Sequence, residues 1–296
     1  MLSLSLRRTS VVAALIGLTG LTLAVPAVAG DAHGRPPAHV RGTETVPVYD
    51  YTNAIRESVW VTTPQDNDGD GVLDKIVVDL VRPREPAQAG VKIPVIMDAS
   101  PYYKCCGRGN ESELKVYDAN GNIVKFPLFY DNYFVPRGYA FAAVDFNGTN
   151  RSTGCGDVGG REEILGAKAA IDWLNGRAHG EYADGTPAIA NWTTGKVGMI
   201  GKSWDGTVAN GVAATGVDGL ATIVPISAIS SWYDYYRDNG ALYTTDFGPA
   251  WLSGFVNGRP DPICVANREA LLAGSENATG NVNAFWDERN FVPDAR

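Results

Sequence analysis

A serine at the junction of a strand-like and a helix-like stretch is the clearest sign of chemistry in this sequence. Residues 196–202 alternate apolar and small side chains as a buried strand does, and residues 204–215 carry Ala and Val at helical spacing. Ser203 lies between them, two residues after Gly201. A serine on a tight strand-to-helix turn points its hydroxyl away from the sheet, near the positive end of the helix. We interpret Ser203 as a candidate nucleophile, with an ordinary Gly-Ser turn as the alternative.

An acidic loop is the second candidate site. Residues 57–62 and 75–81 resemble two strands, and the polar, Gly-containing stretch between them predicts a hairpin. The tip carries four carboxylates at the spacing with which a calcium loop opens, Asp66, Asp68, Asp70 and Asp74. Position twelve of that loop is Val77, where a bidentate Glu is expected. We therefore favour a plain turn that holds no cofactor, and keep calcium as the alternative.

The stretches around these candidates alternate between strands and helices. Further strand-like runs cover residues 93–97, 139–146 and 220–226, and residues 161–175 have helical spacing. This order predicts an α/β fold, a mostly parallel sheet with helices on both faces. The loops that follow parallel strands gather at one edge of a sheet, so we expect the loops beginning at Asp98, Asp145 and Gly201 to meet.

Composition and charge limit the classes of binding partner. With 296 residues, 45% hydrophobic and 10% aromatic, the chain is long enough to bury a large core. Its formal net charge is -8, and no run of basic residues extends beyond Arg7-Arg8. Such a chain lacks the basic patch with which proteins bind nucleic acid or an anionic membrane, so we set both partners aside.

The N-terminal residues have the pattern of an export signal. Arg7 and Arg8 precede an uncharged stretch, residues 11–28, and Ala27-Val28-Ala29 fits a signal peptidase site. We predict a signal peptide over residues 1–29, a flexible lead-in over 30–46 and a secreted protein with no membrane attachment after cleavage. An uncleaved membrane anchor is the alternative.

The cysteine count agrees with export. Cys105, Cys106, Cys155 and Cys264 are an even number without the C-x-x-C spacing of a metal site. We expect disulfides. Adjacent cysteines are poorly placed to bond each other, so we expect Cys105 and Cys106 each to need a distant partner. The pairing is otherwise left open, although the predicted loop arrangement brings Cys105 or Cys106 near Cys155.

Five motifs, in collinear order, resemble one family. They are Ser100-Pro101-Tyr102, Gly148-Thr149-x-x-Ser152-x-Gly154, residues 170–176 (AIDWLNG), Gly201-x-Ser203-x-x-Gly206-Thr207 and residues 229–237 (ISSWYDYYR). The chain resembles the serine X-prolyl dipeptidyl-peptidases and the related cocaine-esterase-like hydrolases, which have the α/β-hydrolase fold. The resemblance also accounts for Gly206, which comes one residue later than in the common G-x-S-x-G pattern.

The resemblance implies roles for particular residues. Ser203 would be acylated, and the oxyanion would be held by the backbone N–H of Trp204 and the hydroxyl of Tyr102, with Tyr103 as a rival for the latter role. Trp232 and Tyr235 would line a pocket for the proline ring of a peptide with proline at its second position, with core packing as the alternative.

A free N-terminal amine would need a carboxylate in the pocket. Glu269, Glu276 and Glu288 are candidates that the sequence does not separate.

One departure from the family pattern is serious. In this fold the triad Asp or Glu and the triad His follow the serine, yet His33, His39 and His179 all precede Ser203. We therefore predict that residues 47–226 are the first part of a hydrolase core, that residues 227–296 begin a cap, and that this is the N-terminal part of a longer enzyme. The isolated chain should have little activity.

Two other functions remain open at this point. One is an esterase or amide acylase with the same core, and the other is a non-catalytic exported binding module. The sequence does not indicate an oligomeric state.

Overall fold

A mixed sheet of seven strands organises the fold of this chain. The computed structural model describes residues 40–41, 43–107, 112–243 and 247–295. The predicted signal peptide, residues 1–29, and most of the predicted lead-in lie outside the described residues.

The strands are β1 (Val40–Arg41), β2 (Glu44–Thr45), β3 (Ile55–Thr62), β4 (Lys75–Arg82), β5 (Ile93–Ser100), β6 (Val116–Tyr117), β7 (Ile123–Lys125), β8 (Ala140–Asp145), β9 (Gly180–Glu181), β10 (Thr193–Lys202), β11 (Leu220–Ile226), β12 (Arg237–Asp238) and β13 (Ala241–Leu242). The helices are α1 (Arg84–Gln88), α2 (Tyr130–Phe134), α3 (Arg161–Leu174), α4 (Trp204–Ala214), α5 (Trp232–Tyr236), α6 (Pro249–Val256), α7 (Val265–Ser275) and α8 (Ala284–Glu288). The main sheet has the order β11-β10-β5-β8-β4-β3-β9, and three two-stranded pairs lie outside it.

The hairpin at one side of the sheet is as predicted. Strands β3 and β4 pair antiparallel, with Glu57 opposite Leu80. Strand β4 is rich in Val and is buried along most of its length because it lies inside the sheet, between β3 and β8.

The other half of the sheet is parallel, which confirms the predicted fold class. Strands β5, β8, β10 and β11 run in the same direction. Within β8, Ala140, Ala142 and Val144 belong to one apolar cluster, whereas Phe141 and Ala143 belong to a second cluster. Successive side chains of a strand point to opposite faces, so the sheet has a core on each side. Residues of α3 and α4 fill the first core, and Tyr130 of α2 packs against the second.

Strand β11 ends the sheet on the parallel side. Its sequence, LATIVPI, contains no charge, yet most of its residues are exposed, including Val224 at 47% and Ile226 at 39%. Among the described strands only β10 pairs with it. An apolar strand with one open edge is a surface to which another strand can add.

The residues after β11 form the short helices α5 to α8 and the pair β12–β13. Their assignment as the beginning of a cap stays a prediction. No helix in the described part of the chain is long and apolar enough to cross a bilayer.

The disulfides form, but one expectation about them is wrong. Cys155 bonds Cys264, and the adjacent Cys105 and Cys106 bond each other. The backbone N–H groups of both adjacent cysteines donate to the carbonyl of Tyr102, each at 3.1 Å. This tight turn holds the two residues together, so neither needs the distant partner that we expected.

Candidate active site

The turn that carries Ser203 has the backbone of a nucleophile elbow. Ser203 lies between β10 and α4 with a φ of 62°, in a region that residues with a Cβ seldom adopt. Its N–H donates to the carbonyl of Ile226, and its own carbonyl accepts from the N–H of Thr207, both at 2.9 Å. The turn is therefore fixed on both sides, to β11 and to the first turn of α4.

Two glycines make this turn possible. A Cβ on Gly201 would lie 2.6 Å from the backbone carbon of Asp205, and a Cβ on Gly206 would lie 2.7 Å from the carbonyl oxygen of Gly201. The strand and the helix approach so closely that neither position has room for a side chain. Because Gly206 faces back onto Gly201, the late glycine closes the turn.

The loops after β5 and β8 meet the elbow, as predicted. The N–H of Phe146 donates to the carbonyl of Ser100 at 3.4 Å. The rings of Tyr102 and Phe146 each lie 6.0 Å from that of Trp204, centroid to centroid, in edge-to-face contact.

The two candidate tyrosines face different surroundings. Tyr103 is 1% exposed, and its hydroxyl donates to the carbonyl of Asp98 at 2.9 Å in the second core. Tyr102 is half-buried beside Trp204, on the side of the elbow. Tyr103 is therefore packed in the second core, whereas Tyr102 contacts Trp204, the residue that follows the nucleophile candidate.

Trp204 is the first residue of α4, where the backbone N–H has no carbonyl of its own helix to bind. Its indole is buried, and Nε1 donates to Oε1 of Glu163 on α3 at 2.8 Å. Sequence reasoning missed Glu163. The available signal was its position on α3, because residues 167, 170 and 174 on the same helical face are apolar.

The two predicted pocket residues differ in exposure. Trp232 is 1% exposed, and its ring lies 5.9 Å from that of Trp204 and stacks on that of Tyr236. Tyr235 is 54% exposed and borders a surface cavity of about 360 Å³, together with Ser227 and Asp234. That both residues line the proline pocket stays a prediction.

No histidine lies beside Ser203 in the described part of the chain. His33 and His39 are outside it. The ring of His179 is mostly exposed next to β9, with Nε2 at 3.5 Å from Oε2 of Glu181. Four strands separate β9 from β10, which is as far from the elbow as this sheet permits.

The acidic residues near the elbow and in the predicted cap accept hydrogen bonds or lie close to other carboxylates. Asp205 is buried, with its carboxylate within 4.8 Å of those of Asp98 and Glu113. Glu276 accepts the N–H groups of Ala278 and Thr279. Glu288 accepts the N–H of Arg161, at the start of α3. The amine-binding carboxylate is therefore not singled out by these contacts.

The acidic loop folds as a turn whose carboxylates accept backbone N–H groups. Asp66 accepts from Gly69, Asp70 and Gly71. Burial, together with the charges of Asp68 and Asp66, raises the pKa of Asp74 to about 6. Carboxylate oxygens of Asp66, Asp68 and Asp74 lie within 4.8 Å of one another, whereas Asp70 accepts a hydrogen bond from the N–H of Val72. Three of the four predicted ligands therefore converge, around a turn that is already hydrogen-bonded.

The sheet order, the strained serine and the helix that follows it define an α/β-hydrolase core. The chain matches the X-Pro dipeptidyl-peptidase (S15) family over residues 68–296. We conclude that it belongs to this family.

Curated relatives carry the same family name. A putative Xaa-Pro dipeptidyl-peptidase of Streptomyces avermitilis is 61% identical over 290 residues, which cover 97% of this chain and 41% of the relative. One from Bacillus anthracis is 41% identical over 85% of this chain and 43% of the relative. The chain thus spans less than half the length of these two relatives.

Solved structures support the fold. A CocE/NonD family hydrolase from Staphylococcus aureus superposes with a TM-score of 0.51 at 18% identity, over 83% of this chain and 43% of that one. An alpha-amino acid ester hydrolase superposes with a TM-score of 0.53 at 17% identity, over 91% of this chain and 43% of that one.

Proposed function

We propose that this chain supplies the nucleophile, the oxyanion hole and part of the substrate pocket of a serine-type peptidase that releases Xaa-Pro dipeptides from peptide N-termini. The observation that carries the proposal is the backbone of Ser203, held at a positive φ between β10 and α4 with Tyr102 and Trp204 beside it. Membership of the X-Pro dipeptidyl-peptidase family supplies the substrate class.

The proposed reaction is acyl transfer. Oγ of Ser203 attacks the carbonyl carbon of the proline residue, and a base accepts its proton. The oxyanion is stabilised by the N–H of Trp204 and the hydroxyl of Tyr102, and each such donor contributes about 3 kcal/mol of transition-state stabilisation in other acyl-transfer enzymes. The peptide amine leaves with a proton, and water then hydrolyses the ester on Ser203. No cofactor takes part in these steps.

The pocket for the proline ring is proposed at α5. Tyr235 offers an exposed ring that borders the surface cavity, and its centroid lies 5.8 Å from that of Trp232. Aromatic faces suit a saturated ring that has no N–H to satisfy.

We further propose that the acid and the base of the triad lie on a further segment of polypeptide, which pairs with the open edge of β11. In an α/β-hydrolase these groups follow the serine, on elements beyond the strand next to the elbow. The apolar, exposed β11 has the character of an interior strand that lacks a neighbour. The relatives' greater length agrees with this proposal.

Export is the remaining part of the proposal. The Arg7-Arg8 pair, the apolar residues 11–28 and the Ala-x-Ala site support cleavage after Ala29 and secretion. Two disulfides in one chain agree with an oxidising compartment.

The test compares this 296-residue chain with a form extended by the C-terminal part of a relative, using a chromogenic Xaa-Pro amide. We expect turnover by the extended form, its loss in Ser203→Ala, and little turnover by the 296-residue chain, because a serine without its base is a weak nucleophile. Equal turnover by both forms would show that the base lies within this chain. An extended form that cleaves esters but no Xaa-Pro amide would indicate an esterase.

A further inference from the structure

A carboxyl group is buried directly behind the elbow. Glu163 of α3 is 2% exposed, and its Oε1 accepts two hydrogen bonds. One comes from Nε1 of Trp204, at 2.8 Å, and the other from the backbone N–H of Gly159, at 3.2 Å. Glu163 therefore ties the first residue of α4 to the loop that precedes α3.

The indole held by Glu163 contacts the other parts of the proposed site. Its ring makes edge-to-face contacts with Tyr102 and Phe146, each at 6.0 Å, and with Trp232 at 5.9 Å. A rotation of this indole would move the backbone of Trp204 or displace Tyr102. The position of both proposed oxyanion donors thus depends on one side chain.

The hydrogen bond from Gly159 to Glu163 fixes the backbone on which Trp232 packs. Gly159 has a φ of 69°, and a Cβ at this position would lie 2.0 Å from Nε1 of Trp232. The Trp232 ring therefore rests on the backbone of Gly159, whose N–H is held by Glu163. One carboxyl group supports both Trp204 and the surface beneath Trp232.

We propose that Glu163 is a positioning residue of the oxyanion hole, which fixes the Trp204 indole and through it the Trp204 N–H and the Tyr102 ring relative to Ser203. The inference rests on the proposed function, because it assumes that Ser203 is the nucleophile. It adds a residue that touches neither the substrate nor the reacting atoms.

The electrostatic surroundings of Glu163 allow its replacement by a neutral residue. Burial raises the pKa of Glu163 well above its ordinary value, and the charge of Asp157 adds to the effect, whereas the hydrogen bond from Trp204 and the charge of Arg289 oppose it. The neutral acid accepts the same two hydrogen bonds as a carboxylate does. Glutamine has the same acceptor oxygen and nearly the same shape.

The experiment measures phosphonylation of Ser203 by an alkyl fluorophosphonate in the extended form described above, which would supply the base, followed by intact-mass spectrometry over a range of probe concentrations. The probe's P=O oxygen occupies the oxyanion hole, so the labelling rate reports on the hole. We expect Glu163→Leu and Trp204→Phe each to lower the maximal labelling rate about tenfold, with little change in the half-saturating concentration. Glu163→Gln should stay within about twofold of the wild type.

Two comparisons separate positioning from general destabilisation. The double variant Glu163→Leu/Trp204→Phe should be labelled no more slowly than the slower single variant, since each substitution removes the same hydrogen bond. The control is Glu162→Gln, on the adjacent, half-buried residue, which should label as the wild type does. If Glu163→Leu does not fold, Trp204→Phe and Glu163→Gln still test the proposal.

The outcomes are distinguishable. Wild-type labelling no faster than that of Ser203→Ala would overturn the proposed function and this inference together. Clear labelling of Ser203 with an unchanged rate in Trp204→Phe, or with effects that multiply in the double variant, would overturn the positioning role of Glu163 alone.

Discussion

The region beside the hairpin and the region behind the elbow differ in how a buried carboxyl group is paired and in how much apolar surface is exposed. Between β4 of the hairpin and β8, Nζ of Lys115 lies 2.7 Å from Oδ1 of Asp145 and 2.9 Å from Oδ2 of Asp79, with all three side chains fully buried. On the elbow side, Glu163 is buried without a cation in hydrogen-bonding contact among the described residues. There too, β11 leaves apolar residues exposed.

The pKa values of these buried carboxyl groups differ. Burial opposes the ionisation of Asp79, but Lys115 and Arg151 hold the pKa of this carboxyl below its ordinary value. Burial, together with the charge of Asp79, raises the pKa of Asp145 despite Lys115. Burial raises the pKa of Glu163, although the hydrogen bond from Trp204 and the charge of Arg289 oppose the rise. The buried carboxylates beside the hairpin thus share a cation, whereas the elbow has backbone strain at Ser203 and lies next to an open strand edge. Strained backbone is common at functional sites, and an open edge can pair with another strand.

The largest expected effect on stability is at the buried ion pairs of Lys115, beside the hairpin. Lys115→Met leaves the buried carboxylates of Asp79 and Asp145 without their shared cation, so we expect the free energy of unfolding to fall by about 3–5 kcal/mol. Urea unfolding followed by circular dichroism measures this. The control is Lys168→Met, which removes a partly exposed i,i+4 pair with Asp172 and should cost about 0.5 kcal/mol or less. Equal costs would show that the buried network does not stabilise the fold.

A smaller effect of opposite sign is expected at the elbow. Glycine adopts a positive φ without strain, so Ser203→Gly should raise the free energy of unfolding by about 1 kcal/mol. Ser203→Ala retains a Cβ and should give no such gain. Urea unfolding of the two variants checks the difference, and both should lose fluorophosphonate labelling at this position. If Gly and Ala behave alike, the turn stores no strain.

The open edge should affect association rather than stability. At high concentration we expect the 296-residue chain to self-associate through β11, and Val224→Lys to shift it to the monomer with an unchanged unfolding free energy. Size-exclusion chromatography with light scattering measures this. Val72→Lys, at an exposed position in the hairpin loop, is the control that should not alter association. The same mass distribution for both variants would argue against β11 as the contact.

The smallest expected effect is at the acidic loop. Its carboxylates already accept backbone N–H groups, and Arg259 lies 3.5 Å from Asp68. We therefore expect calcium to leave the melting temperature unchanged relative to a chelator. A rise with calcium that Asp66→Asn abolishes would contradict the plain turn and assign the ion to this loop.

Local sequence was sufficient for the elements and for the position of the nucleophile candidate. The alternation in β10 and the helical spacing after residue 204 are properties of neighbouring residues, and the hairpin follows from two runs with a polar turn between them. Motif order was sufficient for the family, and the expectation that loops after parallel strands meet at one edge was sufficient for the approach of Tyr102 to the elbow. These features depend on short stretches whose periodicity sets which face is buried.

Only the tertiary structure decided which distant groups meet. Trp204 and Glu163 are 41 residues apart, and Cys155 and Cys264 are 109 apart. Helical spacing could have placed Glu163 on the buried face of α3, but only the packing of α3 against α4 shows that it contacts Trp204. The cysteine pairing was misjudged for a local reason, since Cys105 and Cys106 bond each other in a turn closed onto the carbonyl of Tyr102. Periodicity predicts which residues of an element are buried, but the packing of several elements determines what a buried polar group contacts.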